Sequence, residues 1–154
     1  MINKIKFLFF ISLLLATLWD CKKGEPAPVP DTTKPTITIA QPTAGQIFVA
    51  GNTIPFKATF SDNDLLKSYE IAVSKVSTSA LILKNVPTSV PFSYVKSSTS
   101  FTAGVRQQEI DLSDIVIPAN TATTITTPGK YNFKVNCVDG SNNSTETTVE
   151  ININ

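Results

Sequence analysis

The chain has 154 residues, with 13 Lys+Arg against 12 Asp+Glu, two Cys and no His. That length suits one domain rather than two, and a hydrophobic share of 42% excludes disorder throughout. A net charge of +1 offers no broad attraction to nucleic acid, where neutralising phosphate dominates binding. The lack of His removes the commonest general base and transition-metal ligand. Two Cys build neither a disulfide framework nor a Cys-rich zinc site. Composition argues against an enzyme.

At the N-terminus, Lys4 and Lys6 precede the apolar run Phe7 to Trp19. As a helix this run would span ~20 Å, short of the ~30 Å hydrocarbon core of a bilayer. A charged start and a short apolar run ending at Asp20-Cys21-Lys22-Lys23 read as a secretory signal over residues 1–20. The segment Leu15-Ala16-Thr17-Leu18-Trp19-Asp20-Cys21 resembles a bacterial lipoprotein signal. Leu18 takes the Leu position of that pattern, while Trp19 and Asp20 stand where small residues are preferred. The resemblance implies that Cys21 becomes the mature N-terminus and carries acyl chains that hold the protein on a membrane.

Residues 21–34 then read as the anchor Cys and a tether. Pro26, Pro28 and Pro30, with Pro35 following, favour polyproline II and remove backbone donors. At ~3.1 Å per residue the tether reaches up to ~40 Å. Asp31-Thr32-Thr33 also resembles the short Asp-Thr-x pattern that some Gram-negative bacteria use for O-glycosylation.

From residue 35 to 154 the apolar period is two. Thr36 to Ile39 and Gln46 to Val49 alternate, and Ile54, Phe56, Ala58 and Phe60 share one face of a longer strand. Pro55 places that strand at an edge, or marks its start. Tyr69 to Ser74 alternates after a polar turn at Ser61 to Asp64. Asp111 to Ile115 allows one helical turn. Tyr131 to Cys137 alternates again, Asp139-Gly140 turns the chain, and Val149, Ile151 and Ile153 share a face of the last strand. The fold class is all-β, a single antiparallel β-sandwich. Cys137 falls on the buried face as a core thiol, with no disulfide expected. Tyr131 is either a core aromatic or a tyrosine corner, with its hydroxyl capping the backbone.

The set Lys34-Pro35-Thr36-Ile37, Phe60-Ser61-Asp62-Asn63-Asp64, Leu66-Lys67-Ser68-Tyr69, Gly129-Lys130-Tyr131-Asn132-Phe133 and Val138-Asp139-Gly140-Ser141-Asn142 resembles bacterial immunoglobulin-like domains. More narrowly, Ile115-Val116-Ile117-Pro118 and Pro128 to Phe133 resemble a family of single-domain Ig-like lipoproteins of unknown function from Gram-negative bacteria. The resemblance implies an Ig-like sandwich on a lipoprotein of the outer membrane, leaving open the cell surface or the periplasmic face.

Two places carry candidate binding chemistry. Asp62, Asn63 and Asp64 cluster in a turn, and Asp139, at the end of a later strand, is expected near the same end of the sandwich. Calcium takes six to eight oxygens, and Asp62, Asp64 and Asp139 with backbone carbonyls are the residues to supply them. The plainer alternative is an Asx turn bonding its own backbone, with no cofactor. The second place is residues 76–105, longer than a sandwich loop, where Phe92, Tyr94 and Phe101 lie among Ser and Thr. Aromatics exposed there would stack on a glycan or grip an envelope protein; buried, they would complete the core through an extra hairpin. The expected function is binding at the envelope, with a structural accessory role or calcium binding as alternatives.

Overall fold

The computed structural model describes residues 29–76 and 87–154. Ten strands run in the order β1 (Thr36–Gln41), β2 (Ile47–Phe48), β3 (Thr53–Ser61), β4 (Leu66–Lys75), β5 (Thr88–Val90), β6 (Ser93–Ser100), β7 (Gln107–Val116), β8 (Thr124–Thr126), β9 (Gly129–Asp139) and β10 (Ser144–Ile153). Among the described residues there is no helix. One sheet has the order β1-β3-β7 and the other β2-β10-β9-β4-β6, with a separate β5-β8 pair. The two main sheets bury their facing sides against each other, as the alternating patterns require. The all-β sandwich follows directly.

The core is built by those alternations. Ile54, Phe56, Ala58 and Phe60 of β3 are buried against Tyr131, Phe133, Val135 and Cys137 of β9, with Ile71, Val73, Ile115, Ile151 and Ile153 around them. Phe56 and Phe133 stack across the sandwich at 5.6 Å, the offset geometry that aromatic quadrupoles favour. Cys137 is a free, buried thiol, pushed up to about 12 chiefly by burial and further by the charges of Asp62 and Asp139.

Three details differ from the sequence-based expectation. Pro55 is not on an edge strand, because β3 is the centre of its sheet. Pro55 lies instead where the β3–β7 register shifts between Ile54 and Phe56, while β1 pairs only with Lys57 to Ser61. A missing N–H therefore breaks no regular ladder there. Asp111 to Ile115 is extended within β7 rather than a helical turn, because pairing with β3 satisfies its backbone. Finally, the pairing is not wholly antiparallel: β2 runs parallel to β10, and β5 to β8. The chain leaves β1 at Pro42, which cannot donate to a ladder, and crosses to the other sheet.

Candidate functional site

Period two on β9 decides the first site. Tyr131, Phe133, Val135 and Cys137 face inward, so Asp139, two residues further, is carried onto the same buried face. Its carboxylate is fully buried. Oδ1 accepts from the backbone N–H of Asn143 at 2.8 Å, and Oδ2 from the Asn143 side-chain amide at 2.8 Å. Two further carboxylates converge there. Asp62, just past the end of β3, accepts from the Asp64 N–H at 3.0 Å through Oδ2. Asp31 accepts through Oδ1 from the Thr33 N–H at 3.0 Å and from the Asn63 amide at 3.1 Å. The Asn143 amide also donates to the Asp31 carbonyl at 3.1 Å.

One oxygen from each of Asp31, Asp62 and Asp139 lies within 4.8 Å of the others. Asp31 Oδ2 and Asp62 Oδ1 are buried at the atom level and have no hydrogen-bond partner. None of the four ion pairs among the described residues reaches these three groups. The Thr33 N–H bond, followed by the Asn63 amide, holds the Asp31 carboxyl below its ordinary value. Donors thus fix one oxygen of Asp31 and one of Asp62 in place and leave the other bare. Such an arrangement presents the hard oxygen donors that a divalent cation takes.

The opposite end of β9 is its converse. The Tyr131 ring is fully buried, yet its hydroxyl donates to the Thr127 carbonyl at 2.6 Å and accepts from the Phe92 N–H at 3.2 Å. Both readings of Tyr131 hold together: it is a core aromatic and a corner that pins two chain segments. Lys75 lies 5.1 Å over the ring and donates to the Pro128 carbonyl at 2.6 Å. Beside this corner, β5 and β8 enclose an open cavity of about 280 Å³ lined by Val90, Pro91, Phe92, Pro118, Ala119 and Ile125, with Ser and Thr at its rim. Some of the polar groups around it are bonded internally. Thr126 donates its hydroxyl to the Pro118 carbonyl and its N–H to Asn120 Oδ1, and the Ser89 and Thr127 hydroxyls bond each other.

A model of a domain of unknown function, DUF4625, matches residues 19–154, which is most of the chain. The chain belongs to the DUF4625 family. No curated protein matches it. Among solved structures, the DUF4625 domain is similar to the fibronectin(III)-like modules of CbhA from Clostridium thermocellum, with 20% identity and a TM-score of 0.43 over 77% of this chain and 46% of that one. It is also similar to the sporulation control protein Spo0M from Bacillus subtilis, with 9% identity and a TM-score of 0.41 over 78% and 48%. A β-glucosidase from Listeria innocua matches with 13% identity and a TM-score of 0.36 over 84% and 20%. The chain spans less than half the length of each of these solved chains.

In this DUF4625 domain the expected aromatic surface does not exist as such. Phe92 and Phe101 are buried. Phe101 packs 5.1 Å from both Phe60 and Tyr69, and Phe92 lies 6.4 Å from Tyr131. Tyr94 is partly buried beside the Lys96–Asp114 ion pair. These aromatics finish the core because β6 pairs with β4 and extends the larger sheet over it. Of the expected metal ligands, Asp62 and Asp139 come together, whereas Asp64 is not a member of the cluster and Asp31 is. The neighbouring prolines put Asp31 in the tether by sequence, whereas in the structure its bonds to Asn63 and Asn143 tie it to the sandwich. Cys21 lies outside the described residues.

Proposed function

We propose that this chain is a lipid-anchored, non-catalytic protein of the bacterial outer membrane whose Ig-like domain works by binding a protein partner. The observation that carries the binding reading is the largely apolar cavity beside β5 and β8, where Val90 remains 47% exposed among Pro91, Pro118, Ala119 and Ile125. A site of this kind offers apolar contact and few free hydrogen-bonding groups. It suits an apolar side chain of a protein better than a sugar, which needs exposed aromatic faces and free polar groups. Support for the anchor comes from the signal pattern ending at Cys21 and from a family match that takes in Cys21 together with the sandwich.

The test is chemical cross-linking in intact membranes followed by recovery of the full chain. A defined cross-linked protein should appear with the wild type and disappear with Val90→Asp, which places a charge in the cavity without touching the core. A partner retained by Val90→Asp would instead favour the accessory-subunit reading, in which other surfaces hold the domain in a complex. Retention on a glycan array would replace the protein partner with a sugar. Cys21→Ala should move the protein from the membrane to the soluble fraction, and continued membrane retention would refute the lipid anchor.

A further inference from the structure

We infer that Asp31, Asp62 and Asp139 form a binding site for a hard divalent cation, of which calcium is the natural probe, and that the ion clasps the start of the folded domain onto the sandwich. Two observations meet here. Three carboxylates from distant parts of the sequence bring oxygens within 4.8 Å of one another. Independently, Asp31 Oδ2 and Asp62 Oδ1 are buried with no donor, while the second oxygen of each carboxylate is held by a backbone N–H. An Asx turn explains the bonded oxygens and leaves the bare ones unexplained. A carboxylate oxygen shut off from water with no donor is costly even when the other oxygen of the group is bonded, and a cation held between the three carboxylates would supply the missing partner.

The chemistry of the donors selects the ion. All are oxygens, two of them unpartnered, and the chain has no His. Soft and borderline transition metals favour thiolate or imidazole, whereas calcium and magnesium favour carboxylate, carbonyl and water. Three carboxylates leave positions that water would complete. The structural consequence lies at Asp31. It follows Pro30 directly and is held to the sandwich by single hydrogen bonds to Asn63 and Asn143. An ion shared with Asp62, which follows β3, and Asp139, which ends β9, would fix this point to both sheets. The inference does not depend on the lipid anchor or on the apolar cavity.

The experiment is a melting-temperature titration of the full chain in detergent, first stripped with chelator and then supplied with calcium or magnesium chloride. A ligand that binds only the folded state raises the melting temperature saturably. The expected half-saturation for calcium is on the order of 10⁻⁴–10⁻³ M, the range of extracellular modules. Asp62→Asn and Asp31→Asn keep shape and one acceptor oxygen, so both should melt, when stripped, no lower than the wild type. Both should weaken the ion response at least tenfold. Asp64→Asn should leave it unchanged. A folded wild type whose melting temperature stays flat up to about 10 mM of either ion would overturn the site. So would an ion response that survives in both Asp62→Asn and Asp31→Asn, because the ion would then act elsewhere.

Discussion

The two ends of strand β9 are opposite solutions to the same problem. Tyr131 and Asp139 lie on one buried face, eight residues and therefore ~27 Å apart, and each brings a polar group into the interior. At the Tyr131 end the account closes, since the hydroxyl both donates and accepts. At the Asp139 end it does not, because two neighbouring carboxylate oxygens have no partner. A neutral hydroxyl needs only backbone groups, which any corner supplies. The three converging carboxylates have only part of their oxygens bonded, and none of the ion pairs among the described residues reaches them. The first end is finished by the chain itself, and the second is where the proposed cation would bind.

The largest effect comes from breaking the strand that joins the two ends. Phe133→Ala removes the ring stacked on Phe56 and should cost about 3–5 kcal/mol, measured by urea denaturation. Tyr131→Phe tests the closed end alone. It strands the Thr127 carbonyl and the Phe92 N–H, and should cost about 1–3 kcal/mol while leaving any calcium response intact. A loss below about 0.5 kcal/mol would show that water replaces the hydroxyl there.

The same residue predicts a pH dependence. Burial pushes the Tyr131 hydroxyl above its ordinary value of 10.0. Its contribution is therefore complete below pH 10 and is lost as the pH rises through the folded-state value, because the unfolded chain releases the proton first. The fall in stability above pH 10 should be shallower in Tyr131→Phe than in the wild type. The smallest effect belongs to the surface pair of half-buried Lys96 and exposed Asp114, 2.8 Å apart. The Lys96 bond holds the Asp114 carboxyl below 3.8, so its contribution is present above that value and lost as pH falls through the folded-state value. Asp114→Asn should cost under about 1 kcal/mol, and added salt should shrink that difference.

Much of the fold was legible because period two is a local property. Ile54, Phe56, Ala58 and Phe60, and Tyr131 through Cys137, announce their buried faces without reference to any partner strand. Even the burial of Asp139 follows by continuing the alternation two residues past Cys137. The candidate site was only half legible. Asp62 and Asp139 stood out beside recognisable turns, but Asp64 was the wrong third member. It sits beside Asp62 in sequence, yet Asp64 contributes its N–H to the Asp62 carboxylate rather than an oxygen to the cluster. The aromatics Phe92 and Phe101 misled for a related reason. A Ser/Thr-rich stretch gives no sign of which edge it will pair with, and pairing with β4 turned both rings inward.

The sequence by itself determined the strand faces and the expectation of a sandwich, because alternation and turn chemistry act over a few residues. Only the tertiary structure decided that Asp31, from the end of a proline-rich stretch, meets Asp62 and Asp139. Contacts between residues separated by up to 108 positions depend on how two sheets stack and where the chain enters them, and no local pattern encodes that.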